Sequence, residues 1–294
     1  MRFQTIVALT DFSTAAEHAL DRAALLAAGH KARLHILFGA EEPDPKFSDP
    51  QDRLDQRARQ LAQRHDLQVK ALTYRGDGVV RETLRAAAGA DLLVLDRRAS
   101  TGLAGLCLGG TLAQLLRRSP CPVLVVQQPA RAAYDHLLVA VDFSAASRAL
   151  ACYALALDGG AAVELLHTVD TRAQASVQAV RDYREEVRRC SQDWLVRLSQ
   201  ACGTQRNRVL MTVGTGGDVV QEVAAYQQRS GADLVALAQR RRSRLLDFLL
   251  GSMARSLLGG LACDLLVYPR DYRAAAACTT VVQPRVARRW TQAT

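Results

Sequence analysis

The chain has seven cysteines but no Cys-x-x-Cys pair, and six histidines without ligand spacing. An odd, scattered set of cysteines suggests neither a disulfide framework nor a zinc site. Cys107, Cys121 and Cys263 lie in apolar surroundings and read as small buried hydrophobes, and His35 and His167 read as structural. No apolar run reaches the ~18–20 residues that cross a bilayer. The start, Met-Arg-Phe-Gln-Thr-Ile-Val, passes straight into a strand pattern without a signal-peptide core, so the expected location is the cytoplasm, with no membrane partner. No Gly-x-Gly-x-x-Gly follows the first strand; Thr10-Asp-Phe-Ser-Thr and, later, Val141-Asp-Phe-Ser-Ala stand there instead. That departure disfavours a dinucleotide-binding Rossmann or flavodoxin-like enzyme. Neither the aromatic-plus-basic spacing of an RNA-binding sheet nor a DNA-reading helix is present.

What the chain does contain, it contains twice. Thr5-Ile-Val-Ala-Leu-Thr-Asp11-Phe-Ser13 returns as His136-Leu-Leu-Val-Ala-Val-Asp142-Phe-Ser144, and Gly89-Ala-Asp-Leu-Leu-Val-Leu95 as Gly231-Ala-Asp-Leu-Val-Ala-Leu237. From there the copies run without a gap, Gly109 matching Gly251 and Cys121 matching Cys263. A unit longer than about 50 residues is too long for a solenoid repeat and predicts tandem domains. In 294 residues each half has room for its own core. The expected boundaries are 1–130, 131–270, and a basic C-terminal tail over 271–294.

The pattern in the first half predicts a strand over Gln4–Leu9 and a helix capped by Ser13 or Thr14 and ending near Gly29. A strand follows over Leu34–Phe38, then a proline-containing loop over Glu41–Pro50 and a helix over Asp52–His65. The remaining elements are a strand at Gln68–Tyr74, a helix at Val79–Ala88, a strand at Asp91–Leu95, a helix at Gly109–Arg118 and a strand at Val123–Val126. The second half repeats the order, with strands at His136–Val141, Val163–His167, Arg208–Val213, Leu234–Ala238 and Leu265–Tyr268. Its helices fall at Ser144–Leu157, Ala173–Ala201, Val219–Arg229 and Ser252–Leu258. Strands apolar throughout and alternating with helices imply a parallel sheet covered on both faces. The fold class is therefore α/β: two tandem, doubly wound, five-stranded parallel-sheet domains. Ligands of such sheets bind at the carboxyl ends of the strands.

The net charge of +9 is partly located in Arg240-Arg-Arg-Ser-Arg244 and in tail residues Arg285, Arg288 and Arg289. Positive charge suits nucleotide phosphates, nucleic acid or acidic partners, and equally a solvated surface.

These residues resemble the universal stress protein family over both halves. The marks are the starts Val-Ala-x-x-Asp-x-Ser (Val7–Ser13) and Val-Ala-x-Asp-x-Ser (Val139–Ser144), the Gly-Asp turns (Gly76-Asp77, Gly217-Asp218), the Gly-Ala-Asp-Leu fourth strands and the segment Ser119-Pro-Cys-Pro-Val-Leu-Val-Val126. Two such domains in one chain look most like the tandem, E-type branch. The resemblance implies the adenine nucleotide alpha hydrolase-like fold. ATP-binding members of the family carry Gly-x-x-Gly-x9-Gly-Ser/Thr after the fourth strand, where glycines admit the backbone to phosphates and a helix N-terminus receives one. Here the pattern is degenerate. Its positions are Asp96, Ala99, Gly109 and Gly110 in the first half, and Ala238, Arg241, Gly251 and Ser252 in the second. The family's adenine/ribose-side aspartate is kept as Asp11 and Asp142.

Asp11, Asp96, Ala99, Gly109 and Gly110 are thus expected to be a vestigial site that does not take ATP, because Asp96 would set a carboxylate beside a polyphosphate. Asp142, Ala238, Arg240, Arg241, Gly251 and Ser252 form the candidate site in the second half, where arginines could replace glycines around ATP or another phosphorylated ligand. No catalytic or metal-ligating residue is named. The leading expectation is a non-enzymatic stress-response protein acting by binding and assembly, with slow ATP hydrolysis left open. In the family the fifth strands pair across a dimer axis, so the resemblance implies that Val123–Val126 and Leu265–Tyr268 pair within one molecule as a pseudo-dimer, with a further homodimer as the alternative assembly. The alternatives are a nucleotide sensor using the second half, a nucleic-acid binder using Arg240–Arg244 and the tail, and clefts that hold an apolar small molecule.

Overall fold

The computed structural model describes residues 1–39, 50–72, 78–97, 110–170, 177–202, 208–216, 218–239 and 257–272. The first half runs β1 (Thr5–Thr10), α1 (Thr14–His30), β2 (Arg33–Phe38), α2 (Pro50–His65), β3 (Val69–Leu72), α3 (Val79–Ala87), β4 (Leu92–Asp96), α4 (Thr111–Arg118) and β5 (Val123–Val126). The second runs β6 (His136–Ala140), α5 (Ala145–Leu157), β7 (Ala162–Asp170), α6 (Val177–Cys202), β8 (Val209–Gly216), α7 (Val219–Ser230), β9 (Leu234–Ala238) and β10 (Asp264–Tyr268). All ten strands form one sheet in the order β3-β2-β1-β4-β5-β10-β9-β6-β7-β8, parallel within each half. Alternate residues of each strand enter cores on opposite faces. Ile6, Ala8, Leu92, Val94, Leu266 and Tyr268 pack with α1, α2, α5 and α6. Val7, Leu9, Leu93, Leu95, Leu265 and Val267 pack with α3, α4 and α7. Two covered faces explain why the strands are apolar without alternation.

The Gly-Ala-Asp repeat now has a physical meaning. Gly89 and Gly231 take positive φ (87° and 69°) just after a helix, a conformation that favours glycine. Two residues on, Asp91 Oδ2 accepts the backbone N–H groups of Gln4 and Thr5, and Asp233 Oδ2 accepts those of Asp135 and His136. Each aspartate thereby ties the entrance of the fourth strand of its half to that of the first.

The halves meet where β5 and β10 pair antiparallel, Val125 opposite Leu265, Leu124 opposite Leu266 and Val123 opposite Val267. All six side chains are buried. A pseudo-twofold relation surrounds this seam. Tyr153 of α5 stacks on Phe3 at 5.0 Å and donates to the Asp91 carbonyl. At the matching place Arg22 of α1 lies 3.9 Å over the Tyr134 ring and donates to the Ala132 carbonyl. Arg22 also pairs with Asp264 at 3.5 Å, both side chains being almost fully buried. Asp264 accepts the Tyr134 hydroxyl at 2.6 Å and the Gln127 N–H at 2.8 Å. Burial nonetheless pushes its carboxyl above the usual carboxylate range, against the pull of these donors and of Arg22.

His30 closes the same region. Its Nδ1 accepts the Phe3 N–H, so Nε2 carries the proton and donates to the Leu157 carbonyl across the seam. Burial lowers its pKa from 6.5, which favours the neutral ring that this arrangement requires.

The sequence expectations need several local corrections. Of the two candidates, Ser13 caps α1, its side chain accepting the Ala16 N–H. The helix runs one residue past Gly29, and Lys31 at φ 53° takes the left-handed cap. Pro50 opens α2 rather than ending a loop, because its missing N–H is no loss in a first turn. β7 and β8 are longer than expected and pair in register from Val163–Val209 to Asp170–Gly216. α4 begins at Thr111. The expected helix over 252–258 falls mostly outside the described residues, as does most of the tail.

Two outcomes follow at the seam. Asp264→Ala strips a buried cation of its partner and should lower stability by about 3–5 kcal/mol in urea unfolding. Neutral His30 contributes stability that is present above pH 6.5 and is lost as pH falls through its lowered folded pKa. Wild type should therefore lose more stability between pH 8 and pH 5 than His30→Gln, read as the shift of each urea midpoint.

Candidate functional site

The carboxyl ends of the first strands of the two halves are built alike. After β1, Asp11 Oδ1 accepts the Ser13 N–H at 2.8 Å, and the Ser13 hydroxyl oxygen accepts the Ala16 N–H at 3.2 Å. After β6, Asp142 Oδ1 accepts the Ser144 N–H at 3.0 Å, and Ser144 caps α5 through the Ser147 N–H at 3.1 Å. Asp-x-Ser is thus a strand-to-helix turn that satisfies its own amides. The residue between is strained in both copies, Phe12 at φ 63° and Phe143 at φ 60°. A left-handed aromatic costs roughly 1–2 kcal/mol, and ring packing offsets it. Phe12 stacks on Phe38 at 5.0 Å with the Arg53 guanidinium 4.4 Å from its centroid. Phe143 packs on His167 at 4.5 Å and edge-on to Trp194 at 6.1 Å. His167 is fixed by a 2.9 Å hydrogen bond between Nδ1 and the Val141 carbonyl.

The copies then diverge. Ser147, buried on α5, donates to Asp142 Oδ1 at 2.7 Å. The matching position on α1 is Ala16, which has no such donor. At the end of the fourth strand, β4 closes with Asp96, 3% exposed, beside Val126 of β5. In the second half β9 closes with Ala238, beside Tyr268 of β10. The next residues differ as well: Arg97 reaches the Gln127 side chain, whereas Gln239 crosses the seam to the Leu116 carbonyl at 2.6 Å.

Of the residues expected at these sites, Asp11, Asp96, Gly110, Asp142 and Ala238 are described, and all lie at the carboxyl ends of strands or at the start of α4. Ala99, Gly109, Arg240, Arg241, Gly251 and Ser252 lie outside the described residues. Gly110 is the N-cap of α4 and supplies no side-chain hydrogen bond. A groove of about 310 Å³ lies beside this helix start, lined by Gly78, Val79, Val80, Arg81, Thr111, Gln114 and Arg118. α3 also starts without a side-chain cap, at Gly78 with φ 88°, whereas α7 is capped by Asp218. One residue inserted after Gly76-Asp77 accounts for that difference. Neither Asp11 nor Asp96 lines the groove. Among the described residues no three His, Cys, Asp or Glu side chains cluster as metal ligands, and no helix is long and apolar enough to cross a membrane.

Tandem doubly wound α/β units, each with an Asp-x-Ser turn at the end of its first strand, define a class built on a nucleotide-binding type of fold. The universal stress protein family model matches residues 2–127 and again 133–269, and the chain belongs to that family. Among solved structures it is similar to a functionally unknown protein from Pseudomonas aeruginosa PAO1, with a TM-score of 0.67 and 20% identity over 91% of this chain and 92% of that one. It is also similar to a universal stress protein from Archaeoglobus fulgidus DSM 4304, with a TM-score of 0.62 and 18% identity over 90% and 96% of the two chains. Both likenesses establish a common fold over both halves. No curated protein matches the chain.

Proposed function

We propose that this chain is a cytoplasmic stress-response protein that acts by binding and assembly rather than turnover, and that only its second half offers a cleft to a phosphorylated ligand such as ATP. The contrast between Asp96 and Ala238 carries this reading. A buried carboxylate at the end of β4 opposes a polyphosphate in the first cleft, since like charges repel strongly where water is scarce. The matching strand end in the second half is uncharged, and one residue beyond it, Gln239, leads into Arg240-Arg-Arg-Ser-Arg244. Arginines offer bidentate contacts to phosphate where the family's glycines are missing. Asp11 and Asp142 are engaged in their own turns, which suits a structural role for both.

The β5–β10 seam supports treating the chain as its own pseudo-dimer, with the strand edges that would otherwise pair between subunits already covered. A further homodimer would then have to use other surfaces.

Calorimetry with ATP on the full-length, nucleotide-stripped protein tests the ligand assignment. One site per chain is expected, weakened about tenfold or more by Arg241→Ala through loss of a charge-assisted contact, and unchanged by Asp11→Asn. Two sites, or a site lost with Asp11→Asn, would contradict the assignment to the second half. Absence of heat would remove ATP and leave assembly as the function. Retention on nucleic acid that falls steeply with salt and vanishes on replacing Arg240, Arg241, Arg242 and Arg244 would instead assign the cluster to nucleic acid.

A further inference from the structure

Cys152 and Cys202 are 50 residues apart in sequence, and their sulfurs are 3.0 Å apart in space. Cys152 sits within α5 and Cys202 is the last residue of α6. Both thiols lie at the margin of the core that α5 and α6 share, neither fully buried nor fully exposed. The other described cysteines differ. Burial pushes the Cys121 and Cys263 thiols up to about 12, where the reactive thiolate is scarce. Cys190 is raised too, by burial first and then by Glu186 and Asp193. Among the described residues, Cys152 and Cys202 alone bring two sulfurs into contact.

We propose that Cys152 and Cys202 form a redox site whose substrate is a hydroperoxide and whose product is a disulfide stapling the end of α6 to α5. One thiolate attacks an oxygen of the peroxide, the O–O bond breaks, and the alcohol (or water, from hydrogen peroxide) leaves with a proton. The first sulfur is then a sulfenic acid. The second sulfur attacks it, the S–S bond forms, the S–O bond breaks and the hydroxyl departs as water with the second thiol's proton. Two electrons pass from the sulfur pair to the peroxide, and a dithiol reductant reverses the change. The two sulfurs already touch, at 3.0 Å against a disulfide bond of about 2.05 Å. A sulfenic acid formed at either position meets its resolving thiol before a second peroxide can carry it to an irreversible acid. The site is separate from the strand-end clefts and does not depend on whether they bind a ligand.

The test uses full-length protein, reduced and desalted, then treated with a small excess of hydrogen peroxide. Free thiols counted after denaturation should fall by two from the initial seven. Alkylation and tryptic digestion without reduction should give one cross-linked species joining the Cys152 and Cys202 peptides, and dithiothreitol should restore both thiols. Cys152→Ser and Cys202→Ser replace partly exposed thiols conservatively, and circular dichroism checks that both fold. In each the remaining thiol stops at a sulfenic acid, trapped by dimedone, and no linked species forms, so at most one thiol is lost reversibly in place of two. The proposal is overturned if both cysteines are recovered alkylated after peroxide, if the linked species is intermolecular, if it joins other cysteines, or if the single variants still lose two thiols reversibly.

Discussion

The structure depends on the covering of two strand edges. A five-stranded parallel domain ends in an exposed fifth strand whose unpaired backbone groups must be satisfied by something. In this chain β5 and β10 satisfy one another, and the ten strands become one sheet. Position then follows from that seam. The pseudo-twofold axis through it sets α1 against the second half and α5 against the first, which is why Arg22 meets Tyr134 and Tyr153 meets Phe3. The carboxyl ends of the two halves' strands are separated by the same relation, so each Asp-x-Ser turn stands on its own side of the seam.

Duplication frees equivalent positions to differ, and they differ most where they touch the seam or the clefts. Pro122, at the entrance of β5, corresponds to Asp264 at the start of β10. Only the latter can accept hydrogen bonds from Gln127 and Tyr134 and pair with Arg22. Arg22 itself corresponds to Tyr153, so one side of the seam is ionic and the other aromatic. A buried pair of this kind adds little net stability over apolar packing, but it is costly to break. It therefore favours one half meeting the other over either half meeting a copy of itself. The clefts show the same divergence, Asp96 facing Ala238 across the repeat.

Much of this was legible in the sequence because it rests on local rules. Apolar strands and Asp-x-Ser turns follow from short-range backbone chemistry, and they locate the ends of the strands where Asp11, Asp96, Asp142 and Ala238 lie. What escaped depends on distant partners. Nothing local announces that Phe12 and Phe143 hold left-handed backbone, since the groups that offset it, Phe38, Arg53, His167 and Trp194, come from other elements. Asp264 looks like an ordinary strand-entry residue until Arg22 and Tyr134 arrive from elsewhere in the chain. Cys152 and Cys202 read as two scattered thiols because helix packing, not spacing, unites them. The choice between Ser13 and Thr14 as the cap stayed open for a smaller reason: two adjacent hydroxyl residues are equivalent by composition, and the Asp11 turn selects the first.

Native-state hydrogen exchange followed by mass spectrometry tests most directly whether the seam makes one unit of the two halves. If it does, amides of 123–126 and 264–268 exchange only through global unfolding, at the same slow rate as those of β1 and β6. Seam amides that exchange much faster than β1 and β6, with the two halves opening at different denaturant concentrations, would show that the halves are independent domains and that the shared sheet does not govern the molecule.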